Sequence, residues 1–512
     1  MCYEVFVRSF LDSDGDGIGD LRGLIRKLDY INDGNPETLG DLGANCIWLM
    51  PIAASTSYHG YDVRDYYRVD PSYGTQQDFQ ELVREAHARG IRVLVDMVIN
   101  HTSSEYPFFQ YALLYPDSPY RDWFRFSSGR GEPNEWGGYN WHRSPYRDEY
   151  YYGFFWSGMP DLNWESPEVR AEMKRVATFW LTEMGADGFR LDAVRHLMEE
   201  GDRTANVPRT HDMLREYQAH IRKIAPDAFT IGEVFDSTDV LLAYYPDQLD
   251  SYFAFQVANA ILDAVVLGTA DHLMSTVLEL QTRVPDHRWA PFLRNHDQTR
   301  TMTQLEGRAD RAALAAEILL TLPGLPFVYY GEEIGMTGDK PDPRLRTPMQ
   351  WDLTPAAGFT SGIPWEPPQP DSFTANVAAM EGDPASLLNR YRRMIHLRSG
   401  NRALGSGDLV PLRANVPGVA AYLRTTGKDA ALVVANLGDR PIRGVNIGAA
   451  DRAETPEPSG YLEAGRYSLT PLLRDAPQVG DLTVGSDGRI SSLTPVPSLP
   501  PLTLYVYGLS RN

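Results

Sequence analysis

The chain has 512 residues, 43% hydrophobic and 23% charged, with a formal net charge of -20. That length exceeds what one hydrophobic core usually serves, so an ordinary globular chain of two or three domains is expected. No apolar run is long enough to cross a bilayer, and so acidic a surface repels phosphate backbones, which argues against membrane and nucleic-acid partners.

The first predicted strand is Tyr3–Phe10, entered almost at once and with no signal-type leader before it. A cytoplasmic chain and a secreted chain whose leader has been removed both fit that start. Further apolar, β-rich runs follow at Cys46–Met50, Arg92–Val98, Gly188–Asp192, Thr230–Val234, Ser251–Gln256, Trp289–Asn295 and Pro326–Tyr330. Amphipathic stretches such as Gln77–Arg89 and Pro167–Met184 separate them. Strands alternating with helices imply an α/β fold of parallel strands and crossover helices, and eight such strands suggest a closed (β/α)8 TIM barrel. An open doubly wound sheet is the competitor, but no Gly-rich dinucleotide fingerprint follows the first strand.

The rhythm breaks twice. Residues 101–163, rich in Tyr, Trp, Pro, Gly and Arg, read as a small irregular domain inserted after the third strand, between barrel segments 1–100 and 164–402. From 403 to 512, short alternating segments such as Val419–Arg424 and Ala430–Ala435 read as an all-β C-terminal sandwich. Cys2 and Cys46 both fall in strand-like apolar segments. Two buried thiols are the expected state, with a disulfide between neighbouring strands as the alternative. The 28 Tyr and 10 Trp offer flat faces with a polar handle, which suit sugar rings, although a large barrel buries many aromatics in any case.

Asp192, Glu233 and Asp297 end the predicted fourth, fifth and seventh strands. In a parallel barrel all strands open on one face at their C-terminal ends, so the three carboxylates are expected to converge there. Each alone could instead cap a helix or form an isolated ion pair. Convergent carboxylates suit acetal cleavage, which needs a proton for the leaving oxygen and negative charge beside an oxocarbenium-like carbon. Arg190 lies two residues before Asp192 and so faces the same way, which would keep Asp192 ionised as a nucleophile. Glu233 has no cation adjacent in sequence and is the better acid/base. Asp297, beside His296, could steady positive charge on the sugar.

Four segments, in order and on the right strands, resemble the signatures of the α-amylase family: Asp96-Met-Val-Ile-Asn-His101, Gly188-Phe-Arg-Leu-Asp-Ala-Val-Arg-His196, Gly232-Glu-Val234 and Phe292-Leu-Arg-Asn-His-Asp297. Met159-Pro-Asp-Leu-Asn163 resembles a fifth. The resemblance spans barrel and insert and is weaker beyond. It implies Asp192 as nucleophile, Glu233 as general acid/base and Asp297 as transition-state stabiliser. It implies sugar contacts from His101, Arg190 and His296, a stacking platform at Tyr61 flanked by His59 and Asp62, and a late-barrel pair, Asp342 and Arg346.

Asp12-Ser-Asp-Gly-Asp-Gly-Ile-Gly-Asp20 follows the first strand. Asp12, Asp14, Asp16 and Asp20 at positions one, three, five and nine, with Gly17 at six and the Ile18 carbonyl at seven, match the start of a calcium loop. Position twelve is Gly23 rather than Glu, and a strand precedes, so this is not an EF-hand; a solvated Asp/Gly turn is the alternative. The loop resembles one in oligosaccharide-acting members of the family. The resemblance also implies a second calcium held by Asn100, Asp161 and the His196 carbonyl.

Val194-Arg-His196 resembles endo-acting amylases, whereas Met159–Asn163, Asn32-Asp-Gly-Asn-Pro-Glu37 and Arg346-Thr-Pro-Met-Gln-Trp351 resemble a group between neopullulanase-like and oligo-1,6-glucosidase-like members. A monomeric hydrolase of α-1,4-glucans and maltooligosaccharides is expected. The alternatives are an exo-acting α-glucosidase or oligo-1,6-glucosidase, a trehalose synthase-like isomerase, and a non-catalytic sugar-binding relative; the presence of all three carboxylates argues against the last.

Overall fold

The computed structural model describes residues 1–134, 137–426, 428–449, 462–473, 476–486, 490–493 and 496–512. Eight parallel strands form one sheet: β1 (Cys2–Val5), β2 (Cys46–Leu49), β3 (Arg92–Met97), β4 (Gly188–Leu191), β5 (Phe229–Gly232), β6 (Ser251–Phe253), β7 (Trp289–Ala290) and β8 (Phe327–Tyr329). Each pairs with the next from β1 to β7, and β1 also pairs with β8. The Leu325 N–H donates to the Trp289 carbonyl at 3.0 Å and the Phe327 N–H to the Pro291 carbonyl at 2.9 Å, which closes the ring. The fold is a TIM barrel.

Several strands are shorter than their apolar runs. β1 stops at Val5, and Val7–Ser9 forms a 3-10 turn. The carbonyls of Arg8 and Ser9 are taken by the N–H groups of Gly19 and Met349, distant in sequence, rather than by a neighbouring strand. β7 stops at Ala290 because Pro291 has no N–H to donate. Beyond β6 the chain turns into the helix Phe255–Leu267. Ala254, Phe255, Val257 and Ala258 are all buried, so no period separates strand from helix there. The helix Pro167–Thr178 starts where its pattern predicts, with Pro at its first turn and the Ser166 hydroxyl accepting the Val169 N–H; a π-helical turn, Phe179–Glu183, ends it.

Cys2 and Cys46 are joined by a disulfide, which corrects the expectation of free thiols. They are in-register partners on β1 and β2 with Cα atoms 4.3 Å apart, so both side chains leave the sheet on one face. That face is the barrel interior, where they cluster with Trp48, Leu94, Ile231, Phe253 and Phe327. Two residues beyond Cys2 and Leu94 on their strands, Glu4 and Asp96 join Arg190 of β4 in a polar layer above this apolar floor, at 2%, 5% and 1% exposure.

Between β3 and β4 lie the helix Pro107–Leu114 and an antiparallel sheet of Phe126–Ser127, Trp141–Arg143 and Tyr150–Tyr152. A bridge between His101 and Asp161 ties the two ends of this segment together. The C-terminal region is an antiparallel sheet that includes Asp408–Ala414, Val419–Thr425, Ala430–Asn436 and Thr503–Arg511. A two-stranded sheet, Ile442–Val445 with Val496–Leu499, adds Val445 and Leu499 to the same core. Among the described residues no helix is long and apolar enough to cross a membrane.

Candidate active site

Asp192 directly follows β4, Glu233 directly follows β5, and Asp297 lies in the loop after β7. Gly188 lets β4 and β5 approach this closely: a Cβ there would lie 1.9 Å from the Phe229 carbonyl oxygen, at a φ of +157. The convergence point is the Arg190 guanidinium. Its Nη1 donates to Asp192 Oδ1 at 2.6 Å and to both oxygens of Asp96 at 3.1 Å, and its Nη2 donates to Glu233 Oε2 at 2.6 Å. The cation that sequence proximity assigns to Asp192 therefore also serves Glu233. Adjacency along one strand could not reveal a partner on the next.

Burial pushes the carboxyls of Asp192 and Glu233 upward, and the Arg190 charge opposes it. Asp96 is pushed up to about 7 by the same burial. Asp297 is different. Its carboxylate is 46% exposed to the cleft, 2.7 Å from Arg346 Nη2 and 3.2 Å from His296 Nε2. Burial of its surroundings works against ionisation, but His296 and Arg346 outweigh it and hold Asp297 well below the carboxylate range. For His296, burial disfavours charge, yet Asp297 and Glu4 push its pKa up to about 10. The stability this adds is complete below the ordinary histidine value, about 6.5, and is lost as pH rises through about 10.

Above these groups is a cavity of about 360 Å³. Asp192, Glu233, Asp297, His59, Tyr61, His101, Asp342 and Arg346 line it. Arg190 and His296 lie behind the lining, at 1% and 0% exposure. The Tyr61 ring stacks on His296, with centroids 5.5 Å apart and planes 14° apart. Asp62 turns into its own loop, where its carboxylate accepts the Ser57 N–H at 3.0 Å and the Ser57 hydroxyl. Asp342 and Arg346 meet at 3.4 Å. Burial lowers His59 and His101, the latter to about 4, so His101 is a neutral hydrogen-bonding group. Phe155 and Trp156 also face the cavity, 45% and 49% exposed. They sit on an irregular loop with no period to mark them. Glu4 and Asp96 could have been found as lone acidic residues within buried strand runs.

Of the acidic loop, Asp12, Asp14 and Asp20 place one oxygen each within 4.8 Å of the others. Asp16 stays outside this group, and its carboxylate accepts the Ile18 N–H at 2.8 Å. Asp12 accepts N–H groups from Asp14, Gly15 and Gly17 and the Thr360 hydroxyl. At the barrel–insert junction, Asn100 Oδ1 and Asp161 Oδ2 are buried without a hydrogen-bond partner among the described residues. Burial and then the Glu199 charge push Asp161 up to about 8. Glu199 is ion-paired with Arg125. Sequence reading missed both residues, although Glu199 follows His196 by only three positions. The His196 ring stacks on Phe154 at 4.1 Å, and its Nδ1 meets the Thr204 carbonyl at 2.8 Å.

Two carboxyls shifted upward on a shared guanidinium, beside a third held ionised, form a set able to give a proton, attack carbon and steady a cation. At the C-terminal mouth of a barrel, under an aromatic-lined cavity, that set defines a glycoside hydrolase. The family described as α-amylase, catalytic domain, matches residues 4–407, and the chain belongs to it, glycoside hydrolase family 13. It is 40% identical over 442 residues to α-amylase 3 of Dictyoglomus thermophilum, covering 85% of this chain and 84% of that one. It is 34% identical over 548 residues to the trehalose synthase/amylase TreS of Mycolicibacterium smegmatis, covering 93% and 90%. The crystal structure of an α-amylase from H. orenii is similar throughout, at 38% identity, a TM-score of 0.85 and 99% coverage of both chains. The chain is a glycosidase.

Proposed function

We propose that this glycosidase hydrolyses α-1,4-glucosidic bonds in starch-type glucans and maltooligosaccharides, with retention of anomeric configuration. Asp192 attacks the anomeric carbon while Glu233 gives its proton to the departing glycosidic oxygen. Water, losing a proton to Glu233, then attacks the same carbon and frees Asp192. Asp297 faces the positive charge that develops in both steps. Tyr61 stacks on the sugar; His59, His101, Asp342 and Arg346 bond its hydroxyls, Arg190 and His296 brace Tyr61 from behind, and Asp62 fixes the loop that carries it. The observation that carries the reading is the Arg190 fork, whose two arms hold Asp192 and Glu233 as neighbours. A time course on maltoheptaose and pullulan tests it. Short α-anomeric maltooligosaccharides are expected from maltoheptaose. Glucose alone would replace this reading with an exo-acting one, and β-anomeric products would overturn retention. The similarity to TreS favours a second activity, interconversion of maltose and trehalose, read by incubation with maltose.

We also propose calcium at two places. Asp12, Asp14 and Asp20, with Asp16 and the Ile18 carbonyl completing the loop, offer the hard oxygen donors calcium prefers. Asn100, Asp161, Glu199 and the His196 carbonyl offer a second set, and the orphaned oxygens of Asn100 and Asp161 support it. A bound ion stabilises only the folded chain, by about 2.7 kcal/mol at a free concentration 100 times its Kd. Chelation is therefore expected to lower Tm by several degrees, restored by added calcium. An unchanged melt, with no metal found by elemental analysis, would remove both sites.

A further inference from the structure

The polar layer beneath the cavity contains two carboxylates that the proposed reaction does not use, Asp96 and Glu4. Glu4, on β1, is 2% exposed, and its Oε1 lies 2.6 Å from His296 Nδ1. The other ring nitrogen, Nε2, is 2.7 Å from the Tyr61 hydroxyl and 3.2 Å from Asp297 Oδ2. A neutral imidazole carries one N–H, yet His296 has a carboxylate at each nitrogen, and both can be satisfied only if both nitrogens donate. The neighbouring bonds agree in direction. The Tyr61 hydroxyl donates to Asp96 Oδ2 at 3.0 Å, so it is free to accept from Nε2–H. The ring also packs on the Tyr61 ring at 5.5 Å and the Trp48 ring at 5.6 Å, and the His296 carbonyl accepts from the Arg346 Nε at 3.0 Å. Asp96, Asp192, Glu233 and Arg190 form the next ring of charges.

We infer that Glu4 is a positioning residue: it holds His296 as an imidazolium, so that a charged Nε2–H faces Asp297 and Tyr61 at the sugar cavity. Without Glu4 the buried imidazole keeps only Asp297 as a bonded counter-charge, one that it shares with Arg346, and so holds its second proton less firmly. With its Nδ1–H still bonded at position 4, the neutral ring would turn an Nε2 lone pair toward the Asp297 carboxylate. Tyr61 would then have to donate to His296 and release Asp96. Glu4 thus acts on Asp297 through His296, from two strands away and without touching substrate. The pKa of His296, pushed up to about 10 by Asp297 and Glu4 against burial, is consistent with this.

The inference deepens the proposed reaction and rests on it for its kinetic consequence. Glu4→Gln isolates charge from orientation, because the amide oxygen still accepts the Nδ1–H. On a glucosyl fluoride, whose leaving group needs no proton from Glu233, the alkaline limb of kcat/KM is expected to lie at lower pH in Glu4→Gln than in the wild type. The loss is expected to be about 100-fold at about pH 8.5 and within about fivefold of wild type at about pH 5.5. Glu4→Asp keeps the charge and is expected to keep the limb. In ¹⁵N-histidine spectra of the substrate-free wild type, both His296 nitrogens should stay protonated through about pH 8.5, and in Glu4→Gln they should not. A uniform drop in rate with an unmoved pH profile would reduce Glu4 to a packing role and overturn the inference; so would a neutral His296 in the wild type. The spectra need no substrate. A wild type that turns over no α-glucoside would therefore overturn the proposed reaction while the charge state of His296 is read independently.

Discussion

Asp192→Asn is expected to lower hydrolysis of maltoheptaose by at least about 10⁴-fold with Tm nearly unchanged. The amide is isosteric and can still accept the Arg190 Nη1–H, so the 2.6 Å contact is retained in form. It cannot form the glycosyl ester, and both chemical steps pass through that bond. Glu233→Gln is expected to be comparably damaging on maltoheptaose, whose leaving sugar needs a proton. It should lose far less in the first step with a glucosyl fluoride, whose leaving group needs none. That difference separates the roles: an Asp192 variant stays inactive on both substrates, and a Glu233 variant does not. Equal recovery of both variants on the fluoride would reverse or dissolve the assignment.

The barrel was legible because its strands are apolar runs at regular intervals and its polar residues cluster where those runs end. Asp192 and Glu233 stand at strand ends in both sequence and structure. Asp297 reaches the same place differently. Pro291 ends β7 early, so Asp297 is carried there by a loop whose neighbours, His296 and Arg346, hold it. What could not be read were relations between strands. The sharing of Arg190 by Asp192 and Glu233, the pairing of Cys2 with Cys46 and the contact of Glu4 with His296 all join residues on different elements. A single sequence contains the residue types but not the register that brings them together. Phe155 and Trp156 were hidden for another reason: an irregular loop has no period from which to infer facing.

Arg190→Met is the substitution expected to damage the fold most within the site. It keeps an apolar side chain of similar reach but leaves Asp96, Asp192 and Glu233 without their common cation. Breaking a buried pair on one side costs roughly 3–5 kcal/mol, because the partner charge is left uncompensated. Burial already raises all three carboxyls in the native protein, and among the described residues Arg190 alone restrains Asp192 and Glu233 through direct charged bonds. Without it their folded-state pKa values rise further above those of the unfolded chain. The folded state then binds more protons than the unfolded state, so stability falls as pH rises. The Tm deficit of the variant should accordingly be small near pH 5, where protonation relieves the repulsion, and large near pH 8. Activity should be absent at both, since Asp192 is then protonated when folded and the protein unstable when it is not. A lysine at this position reaches only one carboxylate at a time and is expected to recover stability more than activity, because a point charge cannot occupy both arms of the fork. A deficit that instead grew toward acid pH would mean that Arg190 is not what keeps these carboxylates ionised in the folded barrel.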